Sequence, residues 1–510
     1  MPGKSIVPLF EKDGTVQHEY FWFLHEGHRA IRCGDWKLVS ARGDPWELYN
    51  LADDRGETKN LISQYPEKAQ ELETLWNRLW AEFQQDAKRD LPPSQLQPKP
   101  KPRPAKPASP SQPENVQKTT SLSGPKPPDR PNVVFLLTDQ WRAKATPWEG
   151  DPNVHTPNLD RLARQAIRFD RAISVCPVCT PYRAALLTGR VPTTTGMFMN
   201  DLYLPAEEIT MAELFQQAGY RTAYIGKWHL DGHGRQAYIP PERRQGFEFW
   251  MAAECDHNYL KSHCYTGQSD QKRFWEGYDA YAQTKAAVEY LRQAARQGEP
   301  FFLFVSYGPP HFPHHTAPPD CQALCPPEKI RFAPNVPPQM QTEKLRQEAA
   351  GYYGHCAALD RCVGDIVKTL EETGLAERTI LVFTSDHGEM LGSQGLPPYR
   401  KQVPYDESVR VPLLVRWPAL HGRQGRVVQT PISTVDLMPT LLALAGLPVP
   451  KTVEGEDLSH LLRDGPAEAD RTVLIMNVAP FADNFEGKEY RGLRTSRYTY
   501  VLDLEGPWLL

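Results

Sequence analysis

The sequence predicts an α/β fold with a central sheet covered by helices. Between residues 130 and 470, four continuous apolar runs of strand length alternate with stretches of helical character. The runs are VVFLL from Val133, TAYI from Thr222, FFLFV from Phe301 and ILVF from Ile380. Uninterrupted apolar strands are typical of a sheet that is buried on both faces. The composition agrees, because 40% hydrophobic and 24% charged residues describe an ordinary globular chain.

Polar side chains follow all four runs, at the strand ends where ligands bind in such sheets. They comprise two carboxylates, an amide, a lysine and three histidines: Asp139, Gln140, Lys227, His229, His311, Asp386 and His387. Oxygen ligands suit a hard cation, and neighbouring cationic groups suit an anion. One aspartate at a strand end is more often a turn or helix cap. The coincidence of four polar ends therefore indicates a site.

A fifth element is CTPYRAALLTGR, from Cys179 to Arg190, in which Pro181 suits the first turn of a helix. Cys179 would then stand at the helix N-terminus, where free N–H groups and the helix dipole favour an anion. Arg183, one turn further on, can direct its side chain back toward that end. A single cysteine is usually a buried core residue, but this motif indicates a functional one.

These motifs together resemble the sulfatase family from about residue 130 to the end of the chain. Cys179 to Arg190 fits the family signature C-x-P-x-R-x-x-x-L-T-G-R. Further matches are RPNVVF from Arg130, GKWH from Gly226, SDHGE from Ser385, KQVPYDES from Lys401 and TVDLMPT from Thr434. So many ordered matches are far more specific than one short motif. The resemblance implies an alkaline-phosphatase-like fold, in which a mostly parallel sheet between helices is followed by a small α+β subdomain.

The resemblance also implies a sulfuric ester hydrolase whose Cys179 is converted after translation to formylglycine, an aldehyde. One hydroxyl of the hydrated aldehyde attacks sulfur, and deprotonation of the other expels sulfate and restores the aldehyde. Maturation needs a formylglycine-generating enzyme, which is therefore an expected partner. The expected substrates are sulfate esters of carbohydrates or of small organic molecules. Their selection is expected to depend on two loops, Asp231–Ser269 and Pro309–Pro338.

Five further residues receive catalytic roles from the same resemblance. His229 takes the second proton, while Lys227 and Arg183 hold the hydrate. His311 and Lys401 bind sulfate and protonate the leaving oxygen. Each role suits the chemistry of its side chain.

The resemblance assigns a cation site to Asp139, Gln140, Asp386 and His387, with calcium expected and magnesium as the alternative. Many family members carry a second acid at the position of Gln140 and an amide at that of His387. The Thr-Asp-Gln form occurs in branches that cleave choline sulfate, sugar sulfates or phosphonate monoesters. A phosphonate monoester or phosphodiester hydrolase of the same superfamily is therefore the nearest alternative.

The chain is predicted to contain four segments. Residues 1–90 resemble the C-terminal tail of another sulfatase, and residues 91–130 form a proline-rich linker. Residues 131–470 form the catalytic domain, and residues 471–510 an apparently truncated C-terminal subdomain. The first and last segments contain a repeat, because residues 29–48 align without a gap on residues 491–510.

The repeat leaves two interpretations of the first segment open. Residues 1–90 are either a passenger from a gene fusion or a docked unit that supplies the helix expected after Leu510. The helix missing after Leu510 also raises the hypothesis that the whole chain is a catalytically compromised or misassembled product.

Two other chemistries compete for the same residues. Cys176 and Cys179 form a C-x-x-C pair at a helix start, which is typical of redox proteins, but this leaves the polar strand ends unexplained. Zinc could be held by histidines or cysteines of one loop, namely His311, His314, His315, Cys321 and Cys325. These residues have no four-ligand spacing typical of zinc.

The charge balance excludes some classes of partner. With 58 Lys and Arg against 62 Asp and Glu, the chain has no global basic field for nucleic acid. No run approaches the roughly 20 apolar residues of a membrane span, and no signal peptide begins the sequence. The literal expectation is a cytoplasmic protein, or a periplasmic or secreted one if the true start was lost. Nine cysteines in 510 residues do not suggest a disulfide scaffold.

Overall fold

The structure is a computed structural model that describes residues 19–25, 28–41, 44–54, 57–89, 130–463, 471–480 and 488–509. The chain divides into two compact units, residues 1–120 and 121–510. The predicted linker, apart from Arg130, lies outside the described residues. No helix in the described part of the chain is long and apolar enough to cross a membrane.

The first unit contains a four-stranded antiparallel sheet with a helix, α1, packed on it. The strands are β1 Phe21–His25, β2 His28–Cys33, β3 Trp36–Ser40 and β4 Glu47–Asn50, in the spatial order β1-β2-β3-β4. Helix α1 spans Pro66–Arg89. Ile31 and Leu38 are fully buried in a cluster with Trp76 of α1, and Trp22 stacks on Trp76 at 5.3 Å between ring centroids. This small core is apolar and aromatic.

The second unit is built on a ten-stranded mixed sheet. The strands of this sheet and of a smaller three-stranded one are β5 Asn132–Asp139, β6 Ile167–Phe169, β7 Ala172–Ile173, β8 Arg221–Lys227, β9 Phe249–Ala253, β10 His263–Thr266, β11 Arg273–Phe274, β12 Phe301–Pro310, β13 Thr379–Ser385, β14 Arg410–Val411, β15 Leu413–Arg416, β16 Arg426–Val428 and β17 Ile432–Ser433. The large sheet has the order β11-β10-β9-β8-β12-β5-β13-β15-β6-β16, and β14-β7-β17 form a small one. Strands β9, β8, β12, β5 and β13 are parallel. The four predicted apolar runs are four adjacent central strands, which confirms the α/β prediction.

Helices cover both faces of this sheet. They are α2 Pro157–Ala163, α3 Cys179–Thr188, α4 Pro192–Thr195, α5 Met211–Gln217, α6 Asp279–Gln297, α7 Pro319–Gln322, α8 Glu343–Glu372, α9 Asp406–Val409, α10 Pro418–His421, α11 Leu437–Leu444 and α12 Ser459–Leu462. Val133 and Phe135 of β5 belong to a core cluster with α3, α5 and α11. Val134 and Leu136 belong to the opposite cluster, with α6 and α8. Burial on both sides explains why these strands are continuously apolar.

A second four-stranded antiparallel sheet follows the catalytic core. Its strands are β18 Val473–Asn477, β19 Tyr490–Arg494, β20 Thr499–Asp503 and β21 Gly506–Leu509, in that spatial order. Val501 lies on its buried face in a cluster with Ile173 of β7. Arg494 adds an ion pair to Asp406 at 3.2 Å. These contacts attach the sheet to the core.

The sequence repeat corresponds to equivalent strands in the two small sheets. Residues 29–48 contain most of β2 and all of β3, and residues 491–510 contain most of β19 and all of β20. Strand β2 pairs with β3 in the same antiparallel way as β19 pairs with β20. Ile31 and Leu38 of the first sheet align with Leu493 and Tyr500. The first two are fully buried, whereas the second two are 46% and 38% exposed. The repeat therefore preserves the strand pattern but not the burial of this face.

Gly226, the residue before Lys227 on β8, is required by a close approach between two strands. Its φ is 105°, and a Cβ built on it would lie 2.0 Å from the carbonyl oxygen of Ser306 on β12. We expect Gly226→Ala to cost about 3 kcal/mol of stability, because backbone strain and a backbone clash add. Gly298→Ala is the control, since Gly298 has φ 74° but no atom within 4 Å; its expected cost is about 1 kcal/mol. Equal thermal midpoints for the two variants would contradict this.

Candidate active site

The carboxyl ends of the central parallel strands bring the predicted polar residues together. Asp139 ends β5, Lys227 ends β8 and Asp386 follows β13. Strands β5 and β13 are adjacent, and β12 alone separates β8 from β5, so these ends meet at one edge of the sheet. Around it cluster all ten residues proposed from the sequence, nearly or fully buried: Asp139, Gln140, Cys179, Arg183, Lys227, His229, His311, Asp386, His387 and Lys401.

Cys179 lies at the start of helix α3, as the sequence predicts. Its Sγ is 3.4 Å from Nε2 of His387, 3.6 Å from Nζ of Lys401 and 3.7 Å from Oδ1 of Asp139. Burial and the Asp139 carboxylate raise the pKa of the thiol. The neighbouring side chains of Lys227, Lys401 and His229 outweigh them and lower it to about 6. The position therefore stabilises negative charge on the atom that residue 179 presents.

Arg183 and Lys227 neutralise the two buried aspartates. Nη2 of Arg183 lies 3.2 Å from Oδ2 of Asp139 and 3.3 Å from Oδ2 of Asp386. Nζ of Lys227 lies 2.7 Å from Oδ2 of Asp139. Arg183 is also anchored by Ser306, whose Oγ accepts a hydrogen bond from Nη1 at 2.7 Å. The side chain of Arg183 does turn back toward the start of its helix.

The two aspartates differ in pKa. Burial disfavours the ionised form of both, but Lys227 and Arg183 hold the pKa of Asp139 well below its usual range. Burial and the Asp139 carboxylate raise the pKa of Asp386 to about 6. Two carboxylates in one dry site repel each other, and a divalent cation between them would remove that repulsion.

His387 presents a lone pair to this site. Burial, with Lys401 nearby, lowers its pKa to about 4, so the ring is neutral. Its Nδ1–H donates to the carbonyl of Gly388 at 3.1 Å, which leaves Nε2 as the acceptor. Nε2 is 3.5 Å from Asp386 and 3.6 Å from Asp139. This tautomer and orientation suit a metal ligand.

Gln140 is oriented by a buried acid that the sequence did not reveal. Its Nε2 donates to Glu389 at 2.6 Å, so its amide oxygen points the other way. That oxygen accepts a hydrogen bond from Nζ of Lys401 at 3.1 Å. Gln140 therefore presents an amide oxygen beside the carboxylates of Asp139 and Asp386.

Among the described residues, one group of histidine, cysteine and acid side chains is close enough together to hold a metal ion. It consists of Asp139, Cys179, Asp386 and His387, whose ligand atoms lie within 4.8 Å of one another. The alternative zinc ligands form no such cluster in the described part of the chain. Cys176 and Cys179 are both free thiols rather than a disulfide.

His311 lies at the end of β12 and stacks on a second histidine. Its ring and that of His257 are 4.2 Å apart between centroids. Burial, with Lys401 and His257 nearby, holds the pKa of His311 well below its usual range. His311 Nδ1 lies 2.8 Å from the carbonyl of Phe312, to which it donates in the neutral ring. His257 itself was missed, although the sequence pointed to its loop.

A cavity of about 660 Å³ lies at this edge of the central sheet, and Cys179 is one of the residues that line it. Its lining is mixed, with Cys179, Asn200, His229, Arg235, His257, His311, Phe312, Met340, Thr342, Lys344, Leu345, Pro397, Pro398, Tyr399, Arg400 and Lys401. The polar and charged groups lie beside aromatic and aliphatic ones, in a volume typical of a small-molecule site.

Comparison with known families and proteins shows which family the chain matches. The Sulfatase family model matches residues 131–447, and the model for the C-terminal domain of N-sulphoglucosamine sulphohydrolase matches residues 395–504. An ulvan-active sulfatase of Formosa agariphila is 49% identical over 380 residues, covering 74% of each chain. An endo-4-O-sulfatase of Bacteroides thetaiotaomicron is 29% identical over 437 residues, covering 74% of this chain and 83% of its own. The solved structure described as sulfatase yidJ, from Bacteroides fragilis, has a TM-score of 0.68 and 31% identity, covering 75% of this chain and 88% of that one.

Proposed function

Because the chain belongs to the sulfatase family and hydrolyses sulfate monoesters, we propose that it removes sulfate from a carbohydrate through formylglycine made from Cys179. One observation carries this proposal. The signature cysteine lies at a helix N-terminus and touches His387, Lys401 and Asp139. A structural cysteine has no need of such polar contacts.

Formylglycine would supply a hydrated aldehyde, whose two hydroxyls act as nucleophile and as the group that later expels sulfate. The chain's own residues surround that position. Lys227 and Arg183 are buried cations whose charges favour an oxyanion there. His229 is the base for the remaining hydroxyl proton. A formylglycine-generating enzyme is the maturation partner that this chemistry requires.

The leaving alcohol needs a proton, and Lys401 is the better placed donor. His311 is neutral in the free site and its Nδ1–H is directed to Phe312. Nζ of Lys401 lies 3.6 Å from Sγ of Cys179, and a lysine ammonium has three hydrogens that it can donate. We therefore assign proton donation to Lys401, and contact with the sulfuryl group to both residues.

The donor set fits calcium as the divalent metal. Asp139 and Asp386 are buried carboxylates, Gln140 presents an amide oxygen, and His387 presents a neutral nitrogen. Three of these four donors are oxygens, as hard cations prefer, and the six- to eight-fold shell of calcium leaves room for further oxygens. When bound, the metal would neutralise charge that builds up on the sulfate oxygens.

The cavity supports a carbohydrate as the alcohol. Its wall combines the apolar side chains of Phe312, Met340 and Tyr399 with Lys344 and Arg400. Sugars present apolar ring faces and polar edges, which match such a mixed wall. The relative named as an ulvan-active sulfatase acts on a substrate of that class.

The test compares substrates and one matched pair of variants. Lys344 lines the cavity near the start of α8, whereas Lys368 lies near the other end of that helix, outside the cavity. We expect Lys344→Met to lower kcat/KM for a sulfated oligosaccharide about tenfold, because one charged contact is lost. The same variant should hydrolyse a small aryl sulfate with the wild-type kcat/KM. Lys368→Met should hydrolyse both substrates with the wild-type kcat/KM. Faster hydrolysis of a phosphonate monoester than of any sulfate would contradict the proposal.

A further inference from the structure

We propose that Asp201 is a positioning residue for the proton transfer made by His229, and that Arg235 holds Asp201 in place. This inference rests on the proposed function, because it assigns His229 the role of base toward residue 179. Neither Asp201 nor Arg235 belongs to a motif of the sequence. They are joined to the site only by the fold.

His229 is held by both its backbone and its ring. The residue has a φ of 60°, and its side chain is almost fully buried. Its carbonyl accepts a hydrogen bond from Oγ1 of Thr180, the residue after Cys179, at 2.8 Å. Its Nε2 lies 3.0 Å from Oδ1 of Asp201. The ring is therefore fixed relative to the start of helix α3.

Asp201 is itself held from two sides. Nε of Arg235 donates to Oδ1 at 3.0 Å, and Nη2 donates to Oδ2 at 2.8 Å. The preceding residue, Asn200, accepts a hydrogen bond from the backbone N–H of Thr180 at 3.0 Å. Residues 200 and 201 thus connect the helix that carries Cys179 to the loop that carries His229. The hydrogen bond from His229, helped by Arg235, holds the pKa of Asp201 well below its usual range.

An ionised carboxylate can only accept hydrogen bonds, and this fixes the histidine tautomer. Nε2 of His229 must carry the hydrogen that Asp201 accepts, so the lone pair is on Nδ1. Nδ1 is buried and has no hydrogen-bond partner among the described residues. His229 and Cys179 line the same cavity. Nδ1 is therefore the nitrogen of His229 that can accept a proton from residue 179.

This tautomer defines where the protons on the two ring nitrogens of His229 are during the reaction. A hydroxyl of hydrated formylglycine at residue 179 would give its proton to Nδ1, its oxygen would form the aldehyde C=O, and the bond from the same carbon to the sulfate oxygen would break. The hydrogen on Nε2 stays there, hydrogen-bonded to Asp201. The positive charge that His229 gains lies against a carboxylate held ionised by Arg235. The same arrangement of acid, imidazole and hydroxyl orients the base in other hydrolases.

The first experiment separates catalysis from binding. Asp201→Ala, matured with a formylglycine-generating enzyme, should lose about 10- to 100-fold in kcat on an aryl sulfate. KM should change by less than about threefold, because the sulfate contacts remain. The aldehyde content of residue 179 is measured in the same sample by mass spectrometry. Glu208→Ala is the matched control, since Glu208 also accepts two hydrogen bonds from an arginine, Arg190, at 2.7 Å but contacts no site residue.

The second experiment needs no turnover. In unconverted protein with ¹⁵N-labelled histidine, the His229 ring, assigned by its loss in His229→Gln, should be the Nε2–H tautomer. In Asp201→Ala it should become a mixture, and Asp201→Glu should restore part of the original signal. An unchanged tautomer, or an Asp201→Ala enzyme with wild-type kcat, would overturn the inference. If wild-type protein with a full complement of aldehyde hydrolyses no sulfate ester, the proposed function fails instead.

Discussion

Cys179→Ala is expected to lower sulfate ester hydrolysis by more than about 10⁴-fold, because alanine lacks the thiol that is converted to formylglycine, so the nucleophile is not made. The cavity, the cationic side chains and the metal ligands all remain in this variant. Substrate binding should therefore persist while turnover is lost. The measurement is kcat and the dissociation constant of a sulfate ester, both on the full chain.

Cys176→Ala is the control for this prediction. Cys176 is buried three residues earlier, and burial alone raises the pKa of its thiol to well above the usual range. It lies in an apolar cluster with Val175 and Val178. We expect it to be dispensable for catalysis. Equal loss of activity in both variants would favour the alternative of a redox pair over the sulfatase mechanism.

Removing the divalent metal is the second change with a large expected effect. A chelator should lower kcat/KM by about 10³-fold or more, because the sulfate oxygens lose their main neutralising charge. It should also lower the thermal midpoint, because the buried carboxylates of Asp139 and Asp386 repel each other when no cation lies between them. Burial and the Asp139 carboxylate already raise the pKa of Asp386 to about 6. Adding calcium back should restore both quantities.

Two controls isolate the metal effect. In Cys179→Ala, which is inactive, added calcium should still raise the thermal midpoint, because binding stabilises the folded state without turnover. In Asp139→Asn, calcium should no longer do so at the same concentration. Full activity in protein shown by elemental analysis to be metal-free would contradict the proposed site. Restoration by magnesium but not calcium would correct the identity of the ion.

The central sheet and several site residues could be predicted from the sequence because their local sequence patterns are strong. Buried parallel strands need continuous apolar runs, and the residue after each run must lie at one sheet edge. Asp139, Lys227 and Asp386 were found in this way, and Cys179 by its helix start. The family resemblance predicted an alkaline-phosphatase-like fold that the strand pattern alone could not specify, and the comparisons confirm it.

The supporting residues had no comparable signal. Asp201 reaches His229 only through a backbone with positive φ at both residues, and φ cannot be read from an aspartate or a histidine. His257 reaches His311 by stacking between two distant loops. Glu389 differs, because it lies within a quoted motif, yet its hydrogen bond to Gln140 depends on the packing of β5 against β13.

The roles of the first and last segments stay predictions. The two small sheets share a strand pattern, and the face covered by α1 in one is exposed at Leu493 and Tyr500 in the other. Deleting residues 1–90 and measuring the thermal midpoint of the catalytic unit distinguishes a passenger from a docked unit.

The central claim is that residue 179 is presented for conversion to formylglycine. The most direct measurement is the mass of the peptide from Ala172 to Arg183, after expression with a formylglycine-generating enzyme. We expect an aldehyde at residue 179. A thiol that persists at Cys179, while a control sulfatase is converted in the same cells, would contradict the account.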